Sequence, residues 1–171
     1  MSLVRSTGTF RLTAEDMAGA ALLFTRVSYS RPRVWMIFGL LWLAFVAFLI
    51  AFADGLSNIA LTLGLACLPF IVMLGLTPLM TPITARRNFA RQRSLQGDLT
   101  LSWSEAGLRT VSEYGTFEIP WSHFNRRAEN GNLFLLFESD RLYRLIPKRV
   151  LTTEQQADVR SLIESVGRSG V

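Results

Sequence analysis

The chain has 171 residues, of which half are hydrophobic and only 18% are charged. Soluble domains average about a quarter charged residues, and disordered tails are strongly polar, so the composition is typical of neither class. One cysteine, Cys67, excludes an internal disulfide and a cysteine-based zinc site. The formal net charge is +5, and all of the excess lies before or just after the apolar middle of the chain. This pattern is typical of membrane topology and not of a nucleic-acid-binding domain, so no nucleic-acid partner is expected.

The first 33 residues are predicted to form a cytoplasmic strand and a helix. Polar and apolar residues alternate from Gly8 to Leu12, which indicates a short strand. Thr13 is a favourable N-cap residue, and Glu15 and Asp16 fall in the first turn, where carboxylates meet the positive end of a helix. The following apolar stripe predicts a helix that lies on the membrane surface or packs against other cytoplasmic parts. Its acidic start favours packing.

Residues 34–83 contain two apolar runs. Residues 34–53 are uncharged, and as a helix they would extend about 30 Å, the thickness of the hydrocarbon core of a bilayer. A second uncharged run has its apolar body at residues 59–80. Two buried core helices are the alternative, but a chain of this size has too little other mass to cover them all round. We therefore predict a transmembrane helical hairpin.

Arginines flank this hairpin at one end only. They precede the first run and follow the second, whereas the short turn around Asp54 has no basic residue. The positive-inside bias therefore predicts that both termini are cytoplasmic and that the turn is outside. The same side chains could also hold anionic lipid headgroups. The residues concerned are Arg31, Arg33, Arg86, Arg87, Arg91 and Arg93.

Small residues on the two predicted helices offer a surface for helix packing. Ala47 and Ala51 lie on one side of the first helix, and Ala60 and Gly64 form a small-xxx-small pair in the second. Three prolines in the second run predict a kink or early unwinding near the cytoplasmic face. Neither run contains an Asp, Glu, Lys, Arg or His residue, which favours a plain anchor over an ion-binding transporter helix.

Residues 84–98 are predicted to continue as a basic helix, and residues 99–171 to form a small cytoplasmic β domain. Alternating residues and turn signals predict six short antiparallel strands, with a hairpin at Asn130-Gly131, where both residues tolerate positive φ. Thr152 or Thr153 is expected to cap a final helix that closes the sheet. The fold class is therefore α+β, a transmembrane hairpin joined to an antiparallel sheet domain. The strands are predicted at residues 99–103, 108–111, 116–119, 124–128, 133–138 and 142–146.

Several short motifs resemble a known family. They are the opening Phe10-Arg-Leu-Thr-Ala-Glu-Asp16, then Glu105-Ala106-Gly107-Leu108, Ile119-Pro120-Trp121 and Ile146-Pro147-Lys148-Arg149. With the two-span hairpin, they make the chain similar to the bacterial YcxB-like family over nearly its whole length. The resemblance implies an inner-membrane location, a C-terminal domain similar to small pleckstrin-homology-like modules, and no established activity.

The N-terminal strand is predicted to pair with the edge of the C-terminal sheet. Both ends of the chain are expected on one side of the membrane, and an isolated strand would leave apolar side chains and backbone groups exposed. A pleckstrin-like sheet, implied by the resemblance, also needs a seventh strand. The alternative is a frayed terminus, which is common at the first dozen residues of a chain.

Few residues indicate a chemical site. Ser122-His123 lacks the nucleophile elbow of a hydrolase, and no phosphate-binding loop or metal-ligand cluster is present. We therefore expect no catalytic residue, no cofactor and no metal. Pro147, Lys148 and Arg149 could bind a partner's carboxylate or a phosphate, or could form a solvated polar corner.

Together these features predict a non-enzymatic, membrane-tethered interaction or scaffold module. Its pleckstrin-like domain would meet a protein or lipid partner at the inner membrane. The alternative is a subunit of a small oligomeric channel or transporter, which the lack of intramembrane charge disfavours. Expected partners are the bilayer, anionic headgroups and an unknown protein, with a homo-oligomer as a further option.

Overall fold

The computed structural model of the chain describes residues 4–52 and 59–164. The described ranges contain four α-helices and seven β-strands. The helices are α1 (Ala14–Tyr29), α2 (Pro32–Phe52), α3 (Ile59–Arg91) and α4 (Thr153–Glu164). The strands are β1 (Arg5–Ser6), β2 (Leu99–Trp103), β3 (Gly107–Ser112), β4 (Gly115–Pro120), β5 (Arg126–Glu129), β6 (Leu133–Phe137) and β7 (Tyr143–Pro147).

The strands form two antiparallel sheets, with the orders β1-β2-β3-β4 and β5-β6-β7. The α+β class and the six C-terminal strands are confirmed, but the prediction of one continuous sheet is wrong. The break follows β4, where a 3₁₀ turn at Trp121–His123 redirects the chain before β5 begins. Trp121 is buried at this turn, and its indole N–H donates to the carbonyl oxygen of Ser104 at 2.8 Å.

The N-terminal strand joins the first sheet, as predicted, at the edge provided by β2. Its bounds differ from the prediction, because the strand is Arg5–Ser6 and not Gly8–Leu12. The Thr7 N–H continues the pairing by donating to Leu101 O at 2.8 Å, and Phe10 forms an isolated bridge with Leu99. Residues from both ends of the chain therefore build one sheet.

Strand β6 lies at the centre of two hydrophobic cores. Phe134 and Leu136 face a core between the two sheets and α4, whereas Leu133, Leu135 and Phe137 face α1. The strand is apolar throughout because both of its faces are covered, which is the pattern expected of a fully buried strand. The first core also contains Trp103, Trp121, Val159 and Ile163.

Helix α1 packs between this sheet and α3, as its acidic start favoured. The predicted N-cap is confirmed, since Thr13 Oγ1 accepts from Asp16 N at 3.1 Å and Asp16 Oδ2 accepts from Thr13 N at 2.9 Å. Ala20 and Leu23 are buried against β6. On the other side, Glu15 and Arg86 of α3 form an ion pair at 2.8 Å.

Helices α2 and α3 are long and apolar enough to cross a membrane by length and composition. None of the residues in the apolar window of α2 is buried by the rest of the chain, and only 6% of those in the window of α3 are. Helix α3 runs without interruption through its three prolines and includes the first half of the basic segment predicted at residues 84–98. The predicted turn at residues 54–58 lies outside the described residues, as does the last residue of the run 34–53.

Candidate functional site

The turn between α1 and α2 contacts the β domain through an arginine. Arg31 Nη2 donates to Asp140 Oδ1 at 2.7 Å, and Asp140 lies in the loop between β6 and β7. Close by, the Trp35 indole N–H donates to the carbonyl oxygen of Tyr29 at 2.7 Å, which links the first turn of α2 to the end of α1. These contacts place the β6–β7 loop at the start of α2.

Further arginines act on the same carboxylate. The hydrogen bond and charge of Arg31 hold the pKa of Asp140 below its ordinary value, and the charges of Arg126 and Arg33 add to this effect. Arg126 projects from β5, and its guanidinium carbon lies 4.8 Å from the centre of the Phe137 ring. We call these residues, Arg31, Arg33, Arg126 and Asp140, the Asp140 cluster.

The arginines that follow the second apolar run are mostly exposed. Arg86 pairs with Glu15, whereas no ion pair within residues 4–52 and 59–164 involves Arg87, Arg91 or Arg93. The first three of these four arginines belong to the last turns of α3, and Arg93 begins a 3₁₀ turn. Their predicted role in topology or headgroup binding stays a prediction.

Lys148, at the predicted partner-binding corner, is buried. Its Nζ donates to Glu129 Oε1 at 2.6 Å and to Asn130 O at 2.5 Å, and lies 4.7 Å from the centre of the Phe134 ring. Arg160 also binds Glu129, and the hydrogen bonds and charges of Arg160 and Lys148 together outweigh burial and lower the pKa of Glu129 to about 2. The Lys148 ammonium is therefore bound by groups inside the β domain and is not available at the surface.

Arg149 joins the β domain to the start of α1. Its Nη2 donates to Asp16 Oδ2 at 2.6 Å and to Arg11 O at 2.6 Å, and its Nε donates to Asp16 Oδ1 at 3.2 Å. Burial raises the pKa of Asp16, but the hydrogen bonds from Arg149 and Thr13 outweigh it and leave the pKa below its ordinary value. Because Pro147 is buried and both cations are occupied, we assign this corner a structural role and do not carry the partner-binding hypothesis further.

The small residues predicted to offer a surface for helix packing do not lie between α2 and α3, and their role in packing stays a prediction. Ala47, Ala51, Ala60 and Gly64 are all exposed, and a Cβ added at Gly64 would meet nothing within 4 Å. The helices instead meet through larger side chains on other faces. Phe38 and Phe70 form an edge contact with ring centroids 6.3 Å apart, and Ala66 of α3 is buried. When every face of a helix is apolar, its sequence does not reveal the face that meets the partner.

Two apolar clefts border α1. The larger, about 680 Å³, runs between α1 and the second half of α3, and its walls include Phe24, Met73 and Met80. The smaller, about 340 Å³, lies between the two sheets, beside Leu101 and Phe117. Each is assembled from segments that are far apart in the chain, which is why no local pattern indicated it.

Metal chemistry finds no support in the described ranges, where no group of three or more His, Cys, Asp or Glu side chains could hold an ion. His123 is exposed on the 3₁₀ turn before β5. In the Asp140 cluster, three guanidinium groups act on one carboxylate, and such a surplus of guanidinium groups suits an anion.

Residues 103–163 match the family model described as YcxB-like protein. This segment extends from the last residue of β2 almost to the end of α4 and contains the three C-terminal motifs quoted above. The resemblance is thereby confirmed for this part of the chain. No curated protein and no solved structure matches the chain.

Proposed function

We propose that this chain, whose residues 103–163 match the YcxB-like family, is a membrane-tethered interaction module. Helices α2 and α3 would anchor it, and the β domain would meet a protein or lipid partner. The observation that carries this proposal is the contrast in burial, since two long apolar helices are left uncovered by a chain that otherwise buries its apolar side chains well. Lipid is the solvent that makes such uncovered helices stable.

The strand arrangement supports a pleckstrin-homology-like assignment for the β domain. The seven antiparallel strands, followed by a C-terminal helix that packs on the core shared by both sheets, agree with the seventh strand that the resemblance implied. The hairpin is inserted between β1 and β2 of this domain. We infer that the anchor and the domain fold as one unit, because β1 and α1 precede the hairpin.

Both ends of the chain would then lie on one side of the bilayer, since β1 pairs with β2 across the hairpin. The flanking arginines favour the cytoplasmic side of the inner membrane. Reporter fusions at Asn58 and Val171 test this topology. The Val171 fusion should report from the cytoplasm and the Asn58 fusion from outside, and two fusions reporting from the same side would contradict a double crossing.

Exposed side chains on the β3–β4 hairpin support a surface for a partner. Tyr114 and Phe117 are exposed large residues near the tip of this hairpin, and interface centres are rich in aromatic side chains. A photo-crosslinking residue at Phe117 should capture a protein in native membranes, whereas the same residue at Leu40 of α2 should capture lipid. Release of the chain from membranes by alkaline carbonate would contradict the anchoring itself.

A channel or transporter subunit is the second candidate. The outward position of Ala51 and Gly64 favours it, because small exposed residues allow close approach of helices from other copies. Solute flux in liposomes that contain the purified chain would support this candidate, and crosslinked dimers without flux would favour a homo-oligomeric anchor.

A further inference from the structure

We propose that the Asp140 cluster binds the phosphate of an anionic phospholipid and so fastens the β domain to the bilayer surface. This inference rests on the proposed membrane anchoring, and it adds a ligand class and a set of residues drawn from separate parts of the chain. Arg31 and Arg33 flank the start of α2, Arg126 comes from β5, and Asp140 from the β6–β7 loop.

The first argument is the charge of the cluster. Three guanidinium groups act on one carboxylate, so the cluster keeps a surplus of positive charge. Arg31 takes up the carboxylate directly, whereas no ion pair among the described residues involves Arg126. Burial and the nearby charge of Arg31 both lower the pKa of Arg126, which means that its charged form is held at a cost. A bound anion would offset that cost.

The second argument is the chemistry of the donors. Guanidinium groups offer paired N–H donors that match the oxygen atoms of a phosphate, and such charge-assisted hydrogen bonds are stronger than neutral ones. Arg126 is also oriented by its position over the Phe137 ring, so less side-chain entropy is lost when it binds a ligand.

The third argument is location, which favours a lipid over a soluble phosphate. Trp35 lies one turn into α2, is 51% exposed, and is held by its bond to Tyr29. Tryptophan is enriched at the boundary between headgroups and hydrocarbon, so Arg33 and Arg31 would lie at the depth of the phosphates. Leu142 is exposed in the loop that carries Asp140, where it could enter the interface.

The test compares two neighbouring arginines on β5. Arg126→Gln removes a member of the cluster, whereas Arg127→Gln removes the same charge from the opposite face of the strand. Native mass spectrometry would measure binding of phosphatidylglycerol and phosphatidylcholine to the purified full-length protein in detergent. We expect about a fivefold loss of phosphatidylglycerol affinity for Arg126→Gln and less than a twofold change for Arg127→Gln. Equal losses for both variants, or equal binding of the two lipids by the unchanged protein, would overturn the site.

Asp140→Asn separates ligand binding from a purely structural role. Removal of the competing carboxylate should tighten phosphatidylglycerol binding, whereas a purely structural role for the Arg31–Asp140 pair predicts a loss. Displacement of the lipid by millimolar inorganic phosphate would assign the cluster to a free anion and overturn the lipid assignment. Carbonate extraction keeps the two proposals distinct, because an unchanged protein that stays in the membrane yet binds both lipids alike would remove the site and leave the anchor.

Discussion

Strand β6 and helix α2 are both almost wholly apolar, yet the side chains of β6 are buried and most of those of α2 are not. Every side chain of β6 is at most 1% exposed, whereas Leu40 of α2 is 61% exposed. The strand is covered on one face by the other sheet and α4 and on the opposite face by α1. Helix α2 meets α3 along one side and the end of α1 at its first turn, and none of the residues in its apolar window is buried. Hydrophobic composition alone therefore does not determine whether a segment is buried. Burial also requires other helices or strands that pack against each of its faces.

Helix α1 marks the boundary between these two regions. It contributes Ala20 and Leu23 to the buried core on β6, and on its other side it lies along the second half of α3. Gly19 allows α1 to lie close to β6, because a Cβ at this position would lie only 3.2 Å from Leu133 Cδ2. The part of α3 next to α1 is thus partly covered by protein, whereas few residues in the apolar window of α3 are buried by the rest of the chain.

The largest expected effect comes from truncating a large side chain in the buried core around β6. Phe134→Ala should lower the free energy of unfolding of the β domain by about 3–5 kcal/mol, since it leaves a cavity in a packed core. Leu40→Ala removes a similar apolar side chain from α2 and should change that free energy by less than about 0.5 kcal/mol. Denaturant unfolding in micelles, followed by tryptophan fluorescence, measures both. Equal losses would break the comparison between β6 and α2.

Two glycines sharpen the same comparison. A Cβ at Gly107 would lie 2.4 Å from the carbonyl oxygen of Ile119, whereas a Cβ at Gly64 would meet nothing within 4 Å. Gly107→Ala should therefore cost about 1–3 kcal/mol, because backbone must shift to admit the methyl group. Gly64→Ala should leave the stability of the single chain unchanged. A large effect of Gly64→Ala on chemical crosslinking between copies would instead reveal helix packing in an oligomer.

The polar contacts of the β domain give a smaller, pH-dependent effect. The pKa of Glu129 is about 2 in the folded chain against an ordinary 4.5, so its contacts stabilise the fold above pH 4.5 and lose that effect as the pH falls towards 2. Glu129→Gln should cost about 1 kcal/mol at neutral pH, and the difference from the unchanged protein should disappear by about pH 2. Glu105→Gln, at an exposed turn, is the control. A constant difference across this pH range would show that packing and not charge is lost.

Much of the fold could be predicted because its signals are local. Alternation and turn residues located all six C-terminal strands within a few positions, and Thr13 with Asp16 identified the start of α1. The Asn130-Gly131 turn was also located, but Gly115 is the glycine with positive φ in the described ranges, at 141°. Asn130 instead accepts the backbone N–H groups of Asn132 and Leu133, each at 2.9 Å, so its side chain organises the turn.

The features that the sequence did not reveal are relations between distant segments. The exposed faces of Ala47 and Gly64 depend on the way α2 turns towards α3, and no periodicity marks that face on a helix that is apolar all round. The internal partners of Lys148 and Arg149 come from β5 and from the N-cap of α1, far away in the chain. The sequence indicated two members of the Asp140 cluster, because Arg31 and Arg33 precede an apolar run. It did not indicate Arg126, which lies near them only in the folded chain.

The smallest expected effect concerns the contact that holds the N-terminal residues against β2. Thr7 is buried, and its hydroxyl oxygen accepts from Leu101 N at 3.1 Å, so the side chain supplements the backbone pairing with β2. Thr7→Val keeps the shape of the side chain but removes this acceptor, which should cost about 1 kcal/mol of local stability. Amide exchange at Thr7 and Phe10 should then be about fivefold faster, while the amides of β6 stay unchanged. Thr9→Val, at an exposed site between the two pairings, should alter exchange less than twofold. Fast exchange at Thr7 and Phe10 in the unchanged protein would mean that β1 does not belong to the covered region, and that the hairpin is attached to the β domain only through α1 and α3.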